Sequence, residues 1–411
     1  MDNYDIAIIG AGPAGIMASI SAAKNGARVL LLEKNANLGR KLLITGNGRC
    51  NLTNKNIETS RYHGSNPKFV EPVFAQFNYE QTITFFESLG IVFKEENHGR
   101  IFPRTNQATT IVQALEHEIR ENKIHVMTKA NVNHIIKDKP WKIDLENHNS
   151  FIVKNIIVTT GGKAAHQFGS SGDGLFWSKN LGHTIKPLYA SLVPAETTEA
   201  WPTQLQGLKV ESTIRGFYEN RRLAESTGDL LFTHYGLSGP AIMSISGDIA
   251  ALVSEKPNLV RLEIDFIPEI GYKDLKHKIN TILRSNGAKS ICNNLRGMIP
   301  QGLLELTLDN VSVAKGKKSA EISQKEIDVI INSLKSTCLH IKNLRPLKEA
   351  QVTRGGISLD EVDNHTLESK IVKGIFFAGE ILDIDGDSGG FNLQWAWSSG
   401  YVAGIHASFL N

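Results

Sequence analysis

The chain is poor in cysteine: Cys50, Cys292 and Cys338 are its three in 411 residues, and no two form a CxxC pair. That spread excludes a Cys-only zinc site and a disulfide framework, and it fits a reducing compartment. Long apolar runs are also missing. The first, Ile6 to Ile9, stops at Gly10, well short of the ~18 residues that mark a membrane span. No basic region followed by a long apolar stretch opens the chain, so the expected address is cytoplasmic, with no membrane partner. Charge of one sign is scarce as well. The net charge is +3, and the densest cationic run is Lys315, Lys317 and Lys318 around Gly316. Such a run reads as a solvated loop, and no nucleic-acid partner is expected from it.

Glycine is plentiful, with 36 in the chain, and several sit in patterned turns. Tyr4 to Ile9 (YDIAII) is a β-rich apolar run that breaks into Gly10, Ala11, Gly12, Pro13, Ala14 and Gly15. A helix with small and apolar positions follows, ending near Asn25 and Gly26, and then the apolar strand Arg28 to Glu33 (RVLLLE). This is the order of a dinucleotide-binding βαβ unit. Gly10 allows the tight turn, Gly12 lets backbone approach a pyrophosphate, and Gly15 permits close packing of helix and strand. Pro13 opens the helix, whose N-terminus supplies free N–H groups. Glu33 lies 23 residues beyond Gly10, near the ~20 at which an acid meets the adenosine ribose. The fingerprint alone leaves NAD and FAD open.

A chain this long exceeds the ~250 to 300 residues of a single core, and its composition shifts along its length. Helical spacing marks Tyr79–Leu89 and Ala108–Asn122, and Ile91–Phe102 reads as a hairpin turning at Asn97, His98 and Gly99. Short strands are expected over 124–128, 132–137, 141–145 and 151–159. The last runs into Thr160, Gly161 and Gly162, a turn where backbone could meet a cofactor. From about 189 to 350 the pattern changes to an inserted region: β-rich over 189–270 and 336–350, helical over 271–335. Residues 1–188 and 351–411 are expected to form one discontinuous domain. Its later part holds an apolar strand, Ile371–Ala378, and a glycine-rich acidic loop leading into a helix over Leu393–Ser408. Asp383, Asp385 and Asp387 mimic a calcium loop. Gln394 stands where a bidentate Glu is needed, so no metal is expected. The stretch GRKLLITGNGRCN (39–51) reads as a glycine-rich cationic loop after the second strand.

On the stretches GAGPAG (10–15), LLLEKNANLGRKLLITGNGRCNLTN (30–54), HGRIFP (98–103), IIVTTGGK (156–163), GSSGDG (169–174), LFTHYGLSGPA (231–241) and GIFFAGEILDIDGDSGGFNLQWAWSSGYVAG (374–404), the chain resembles FAD-dependent flavoproteins of the glutathione-reductase-type fold. More specifically it is similar to the family that includes aminoacetone oxidases and bacterial flavin-dependent reductases of dehydro bile acids. The resemblance implies an α/β, Rossmann-like FAD-binding domain, discontinuous in sequence, with an inserted antiparallel β-barrel-like domain and a small helical domain. It implies non-covalent FAD, with Ala14, Gly15, Glu33 and Lys34 on the ADP half, Arg40 and Lys41 near the phosphates, and the backbone of Val132 at adenine. Gly379, Glu380, Asp383, Gly390, Phe391 and Asn392 would embrace the phosphate, ribityl and isoalloxazine parts. Gly46, Asn47, Gly48, Asn51, Thr160 and Gly161 are the further backbone and polar positions expected against the cofactor.

The activity so implied is oxidation of a small amine or aminoketone with O2. The alternatives are reduction of an unsaturated, steroid-like ketone with an external electron donor, and a flavin-bearing RNA-modification accessory protein. His98, His234 and Tyr235 are the candidate proton-transferring side chains.

Overall fold

A computed structural model describes residues 4–138 and 140–409. The chain divides into two compact units, 1–189 with 351–411, and 190–350.

The first unit is built on a parallel sheet. β1 (Tyr4–Ile9) is followed by α1 (Pro13–Lys24), β2 (Val29–Leu32) and α2 (Arg40–Gly48). β3 (His125–Met127), β4 (Ser150–Val158), α3 (Asp173–Asn180), β5 (Ile375–Phe377) and α4 (Phe391–Phe409) complete the frame. The parallel order is β3–β2–β1–β4–β5. β4 is long because it serves two partners. Its first residues pair antiparallel with Trp141–Leu145, itself paired to Val132–Ile136, and its last residues pair with β1 and β5. Register brings Ile9 beside Leu32 and Val158, and Val158 beside Phe377. Gly10, Glu33, Thr159 and Ala378 therefore leave the sheet along one carboxyl edge, the place where open α/β sheets bind ligands.

α1 and α4 are apolar or small on nearly every side, and both are buried, as expected of helices enclosed by protein. They cross at very short range: a Cβ on Gly400 would lie 2.3 Å from the Ala14 carbonyl oxygen, and one on Gly404 2.4 Å from that of Ala18.

Two expectations are revised by local backbone. The strand expected over Ile371–Ala378 shrinks to Ile375–Phe377, because Gly374 turns at φ +82° and Ile371 is exposed. The stretch expected as a loop after β2 starts as α2, capped by Gly39 at φ +63°, and only breaks at Thr45, Gly46 and Asn47.

In the second unit six antiparallel strands close into a barrel. Their order is Ala195–Thr197, Gly236–Ser238, Arg221–Thr233, Lys209–Tyr218, Val260–Asp265 and Thr337–Leu344. Helix Pro240–Glu255 places Ile242, Ile245 and Ile249 in the same apolar core as Leu230 and Phe232 of the barrel. Helices Tyr272–Ser285, Ile291–Leu295, Gln301–Asn310 and Gln324–Lys335 lie between the last two barrel strands in sequence, and Leu275, Leu303 and Ile330 join that core.

Candidate cofactor site

The carboxyl edge of the first unit carries an open helix end. The first α1 hydrogen bond runs from Ile16 N–H to Gly12 O (2.9 Å), and no side chain caps the helix. Since Pro13 has no N–H, the Ala14 and Gly15 amides are the ones left pointing outward. Gly15 has no alternative: a Cβ there would sit 1.8 Å from Gly10 O and 2.6 Å from Thr159 Oγ1. Gly12 differs, since a Cβ there meets nothing within 4 Å. The turn thus presents backbone amides and a helix's positive end to open space, with no acid in the first turn of α1.

Glu33 is buried and structures the same edge. Its Oε2 accepts from Ala11 N–H (2.8 Å), and its Oε1 accepts from Asn35 N–H (2.8 Å) and Asn35 Nδ2 (2.6 Å). Lys34, expected on the ADP half, and Arg40 and Lys41, expected near the phosphates, already have protein partners. Lys34 pairs with Asp173 (2.8 Å), Arg40 donates to Asn35 Oδ1 (2.6 Å), and Lys41 meets Glu380 Oε2 (2.5 Å). Glu380 Oε1 also accepts from Thr353 N–H (2.9 Å). Val132 is buried at the head of its strand. Gly161 turns at φ +72°, and Gly46, Asn47 and Gly48 lie at φ +56°, +56° and +79°.

The second half of the site is the turn before α4. Gly390 (φ +106°) runs so close to the 53–54 strand that a Cβ would lie 2.4 Å from Thr53 O. The first α4 hydrogen bond is Gln394 N–H to Gly390 O (3.0 Å), which leaves the Phe391, Asn392 and Leu393 amides without intrahelical acceptors. Asn392 fixes the entry: its Oδ1 accepts from Gly386 N–H (2.8 Å), and its Nδ2 donates to Gly386 O (2.7 Å) and Asp387 O (3.3 Å). Gln394, fully buried, ties α4 to Thr53 and Thr82 and also bonds Ser398 one turn along the same helix. Gly379 N–H donates to Ser399 Oγ (2.9 Å).

A polar cluster surrounds this turn, joining Asp383, Asp385 and Asp387 to Arg61, Tyr62, His63 and Arg354, which sequence reasoning did not single out. Asp387 meets His63 Nε2 (2.7 Å) and Arg61 Nη1 (3.2 Å); Asp385 is held by Arg354 (2.9 Å); Tyr62 Oη donates to Phe391 O (3.1 Å). Asp383 accepts from Ser65 N–H (3.1 Å), and burial, with Asp385 adding its negative charge, pushes its carboxyl above the ordinary range. Tyr62 and His63 form a two-residue strand, too short for any periodicity to announce.

Of the candidate proton-transferring residues, His98 is exposed at φ +63°, and Asn54 Nδ2 bonds both its carbonyl (3.1 Å) and that of Gly389 (2.9 Å). The hairpin tip is thereby fastened to the turn before α4. His234 and Tyr235 belong to the second unit, in the turn between two barrel strands. Tyr235 lies under the Arg345 guanidinium (4.8 Å). Cys50 is fully buried, and burial pushes its thiol up to about 12, a hydrogen bond at Thr45 pulling the other way; it is no nucleophile at neutral pH. Among the described residues no group of three or more His, Cys, Asp or Glu side chains could hold a metal, and no helix is long and apolar enough to cross a membrane.

The first unit fits a dinucleotide by its own atoms. The open α1 N-terminus stands at the carboxyl edge, and in the same unit two buried polar atoms, Asn51 Oδ1 and Thr160 Oγ1, have no hydrogen-bond partner among the described residues. Buried polar groups are seldom left unpaired, and the two match a ligand's hydroxyl and amide groups. An α/β sheet with such a cradle and a second, carboxyl-terminal helix end defines a flavoprotein oxidoreductase.

Residues 4–406 match the family described as HI0933-like protein Rossmann domain, and the chain belongs to that family. It is an FAD-dependent oxidoreductase. It is 34% identical to a 3-dehydro-bile acid delta(4,6)-reductase of Clostridium scindens over 98% of both chains. It is 30% identical to a ribosomal RNA dihydrouridine synthase of Escherichia coli over 98% of this chain and 97% of that one. A solved 3-ketosteroid delta1-dehydrogenase of Sterolibacterium denitrificans shares the fold: TM-score 0.54, 11% identity, covering 99% of this chain and 100% of that one.

Proposed function

We propose that the protein is a reductase that saturates a C=C bond conjugated to a carbonyl. The observation that carries this reading is the full-length similarity to a reductase whose name places its reaction at the 4,6 double bonds of a 3-oxo bile acid. The second relative supports the same chemistry, because making dihydrouridine saturates the 5,6 bond of a uracil, also conjugated to a carbonyl. Neither of these two relatives is an oxidase by name, so the amine-oxidising direction expected from the sequence is the alternative to be tested against.

Bound FAD supplies the hydride chemistry at N5. The protein's part is to hold, orient and protonate. The α1 amides and positive end suit the pyrophosphate. The free amides of Phe391, Asn392 and Leu393, fixed by the Asn392 to Gly386 bonds, suit a group that becomes electron-rich on reduction. Hydride delivery to a conjugated bond needs a proton for the neighbouring carbon. His63 is the imidazole of the turn's cluster, a side-chain type that can hand on a proton, and Asp387 Oδ1 fixes its ring through Nε2 (2.7 Å).

The test is product analysis. The holoenzyme, reduced anaerobically, is given a 3-oxo-4,6-diene bile acid or a uridine-containing ribosomal RNA transcript, and the oxidised holoenzyme in air is given aminoacetone. A product heavier by two hydrogens from either of the first two, slowed at least tenfold in His63→Asn with FAD still bound, is the expected result. Peroxide from aminoacetone with no saturation of either unsaturated compound would overturn the reading.

A further inference from the structure

The weak overall charge conceals a segregated one. Residues 271–335 carry eleven lysines and arginines against six acids, in a chain whose net charge is only +3. Ion pairs consume one part of this set: Lys276 with Asp328 (2.5 Å), Lys315 with Asp309 (2.8 Å), Lys317 with Glu326 (2.6 Å), and Lys335 with Asp265 (2.6 Å). Lys273, Arg284, Lys289 and Lys318 are exposed and, among the described residues, have no ion-pair partner.

Their placement follows from the helix. Leu275, Ile279 and Leu283 bury one side of helix Tyr272–Ser285. At 100° per residue, Lys273, His277 and Arg284 fall within about 40° of one another on the opposite side. From Lys273 to Arg284 the stripe runs roughly 16 Å along the axis. Beyond the helix end the backbone brings in two more cations: Ser319 N–H donates to Lys289 O (2.9 Å), and Ser290 bridges Lys318. The four cations come from points 45 residues apart in sequence, which is why no dense basic run advertises them.

We infer that this face of the second unit is a phosphate-backbone contact surface for structured RNA, an inference that rests in part on the reductase reading for a uracil substrate. Lys273 and Arg284 on the outer side of the helix, with Lys289 and Lys318 just beyond its end, form the kind of basic cluster that contacts a phosphate backbone. An anionic membrane fits the same face less well. Leu275, Ile279 and Leu283 of the helix are spent in the core and Tyr272 at its start is the large hydrophobic it leaves exposed, too little to form the apolar face that an interfacial helix buries in a bilayer. A full-length relative named for ribosomal RNA points to the same partner.

The experiment uses the full-length holoenzyme with oxidised flavin and no electron donor, so binding is read without turnover. A fluorescent stem-loop RNA is titrated by anisotropy at 50 and 200 mM salt, beside vesicles of phosphatidylglycerol and phosphatidylcholine. Four phosphate contacts predict a loss of roughly 50- to 150-fold in affinity over that salt range. The variant Lys273→Ala, Arg284→Ala, Lys289→Ala, Lys318→Ala is expected to abolish most of that salt dependence while keeping the flavin spectrum and melting temperature. If it does not fold, the pairs Lys273→Gln/Arg284→Gln and Lys289→Gln/Lys318→Gln each remove about half of the slope. No RNA binding at 50 mM salt, binding unaltered in the variants, or tighter binding to vesicles overturns the inference. RNA bound but not reduced would sink the uracil reading and spare the surface; reduction of the bile acid without RNA binding would do the reverse.

Discussion

Gly12 and Gly15 belong to one six-residue turn, yet the structure assigns them separate tasks, and alanine at each should separate stability from cofactor affinity. In Gly15→Ala the new Cβ falls 1.8 Å from Gly10 O and 2.6 Å from Thr159 Oγ1, where about 3 Å is the closest approach. α1 must retreat by more than 1 Å. It cannot do so freely, since Gly400 and Gly404 of α4 already press on the Ala14 and Ala18 carbonyls from the other side. Overpacking of this kind costs about 1–3 kcal/mol, which lowers the melting temperature by roughly 2–12 °C for a unit of this size. It also moves the α1 amides away from any bound phosphate. In Gly12→Ala the Cβ meets no protein atom within 4 Å, and φ is −78°, so the apoprotein should melt within about 1 °C of the parent, as for unstrained surface changes. The methyl instead occupies the space where backbone must approach pyrophosphate, and FAD affinity should fall at least tenfold. Differential scanning fluorimetry of the apoproteins, with FAD titrated by quenching of its fluorescence, measures both quantities. Parental FAD affinity in Gly12→Ala would refute the placement of the pyrophosphate.

Three further expectations follow from the second half of the site. Asn392→Ala removes three hydrogen bonds around Gly386 and Asp387, at about 1 kcal/mol each, so urea denaturation should show a loss of ~2–4 kcal/mol; a dye-coupled titration of the flavin in this variant should give a shifted midpoint potential, and an unchanged potential with intact binding would count against a role for the α4 end. Asp383 has a folded-state pKa raised chiefly by burial, so the fold disfavours its charged form and loses stability as pH rises from the unfolded-state value through the folded one; Asp383→Asn should flatten that part of the stability curve measured between pH 4 and 7 in the apoprotein. Cys50, buried with its thiol pushed up to about 12, should resist iodoacetamide in the native protein while the exposed Cys338 is alkylated, as peptide mass mapping would show; labelling of Cys50 in the folded holoenzyme would contradict its packing.

What could be read from the sequence was what backbone sterics demand. The Gly10 to Gly15 turn and Glu33 are dictated by a helix packed against a strand end, and the glycine-rich loop before the stretch Leu393–Ser408 marked the last helix, which begins two residues earlier at Phe391. What could not be read depends on distant pairing. Asp387 and His63 are 324 residues apart, and the strand carrying His63 has two residues. The break inside α2 at Thr45 to Asn47 follows Leu43 and Ile44, good helix formers, and is imposed where a Cβ on Gly46 would come within 2.9 Å of Asn51 N and of Phe102. Lys41, expected near the phosphates, and Lys34, expected on the ADP half, turn out to be paired with Glu380 and Asp173; such partners lie far away in the chain and leave no local pattern. The basic helical face escaped notice for the same reason.

The central claim is that the reduced enzyme hands its hydride to a conjugated C=C bond. It is tested most directly by stopped-flow absorbance of anaerobically reduced holoenzyme mixed with a 3-oxo-4,6-diene bile acid or with uridine-containing ribosomal RNA. The predicted result is return of the oxidised-flavin band near 450 nm, as for flavoproteins in general, at a rate that rises and saturates with the concentration of one of the two. A flavin that stays bleached with both, yet is reoxidised by O2 and re-reduced by small amines, would contradict it.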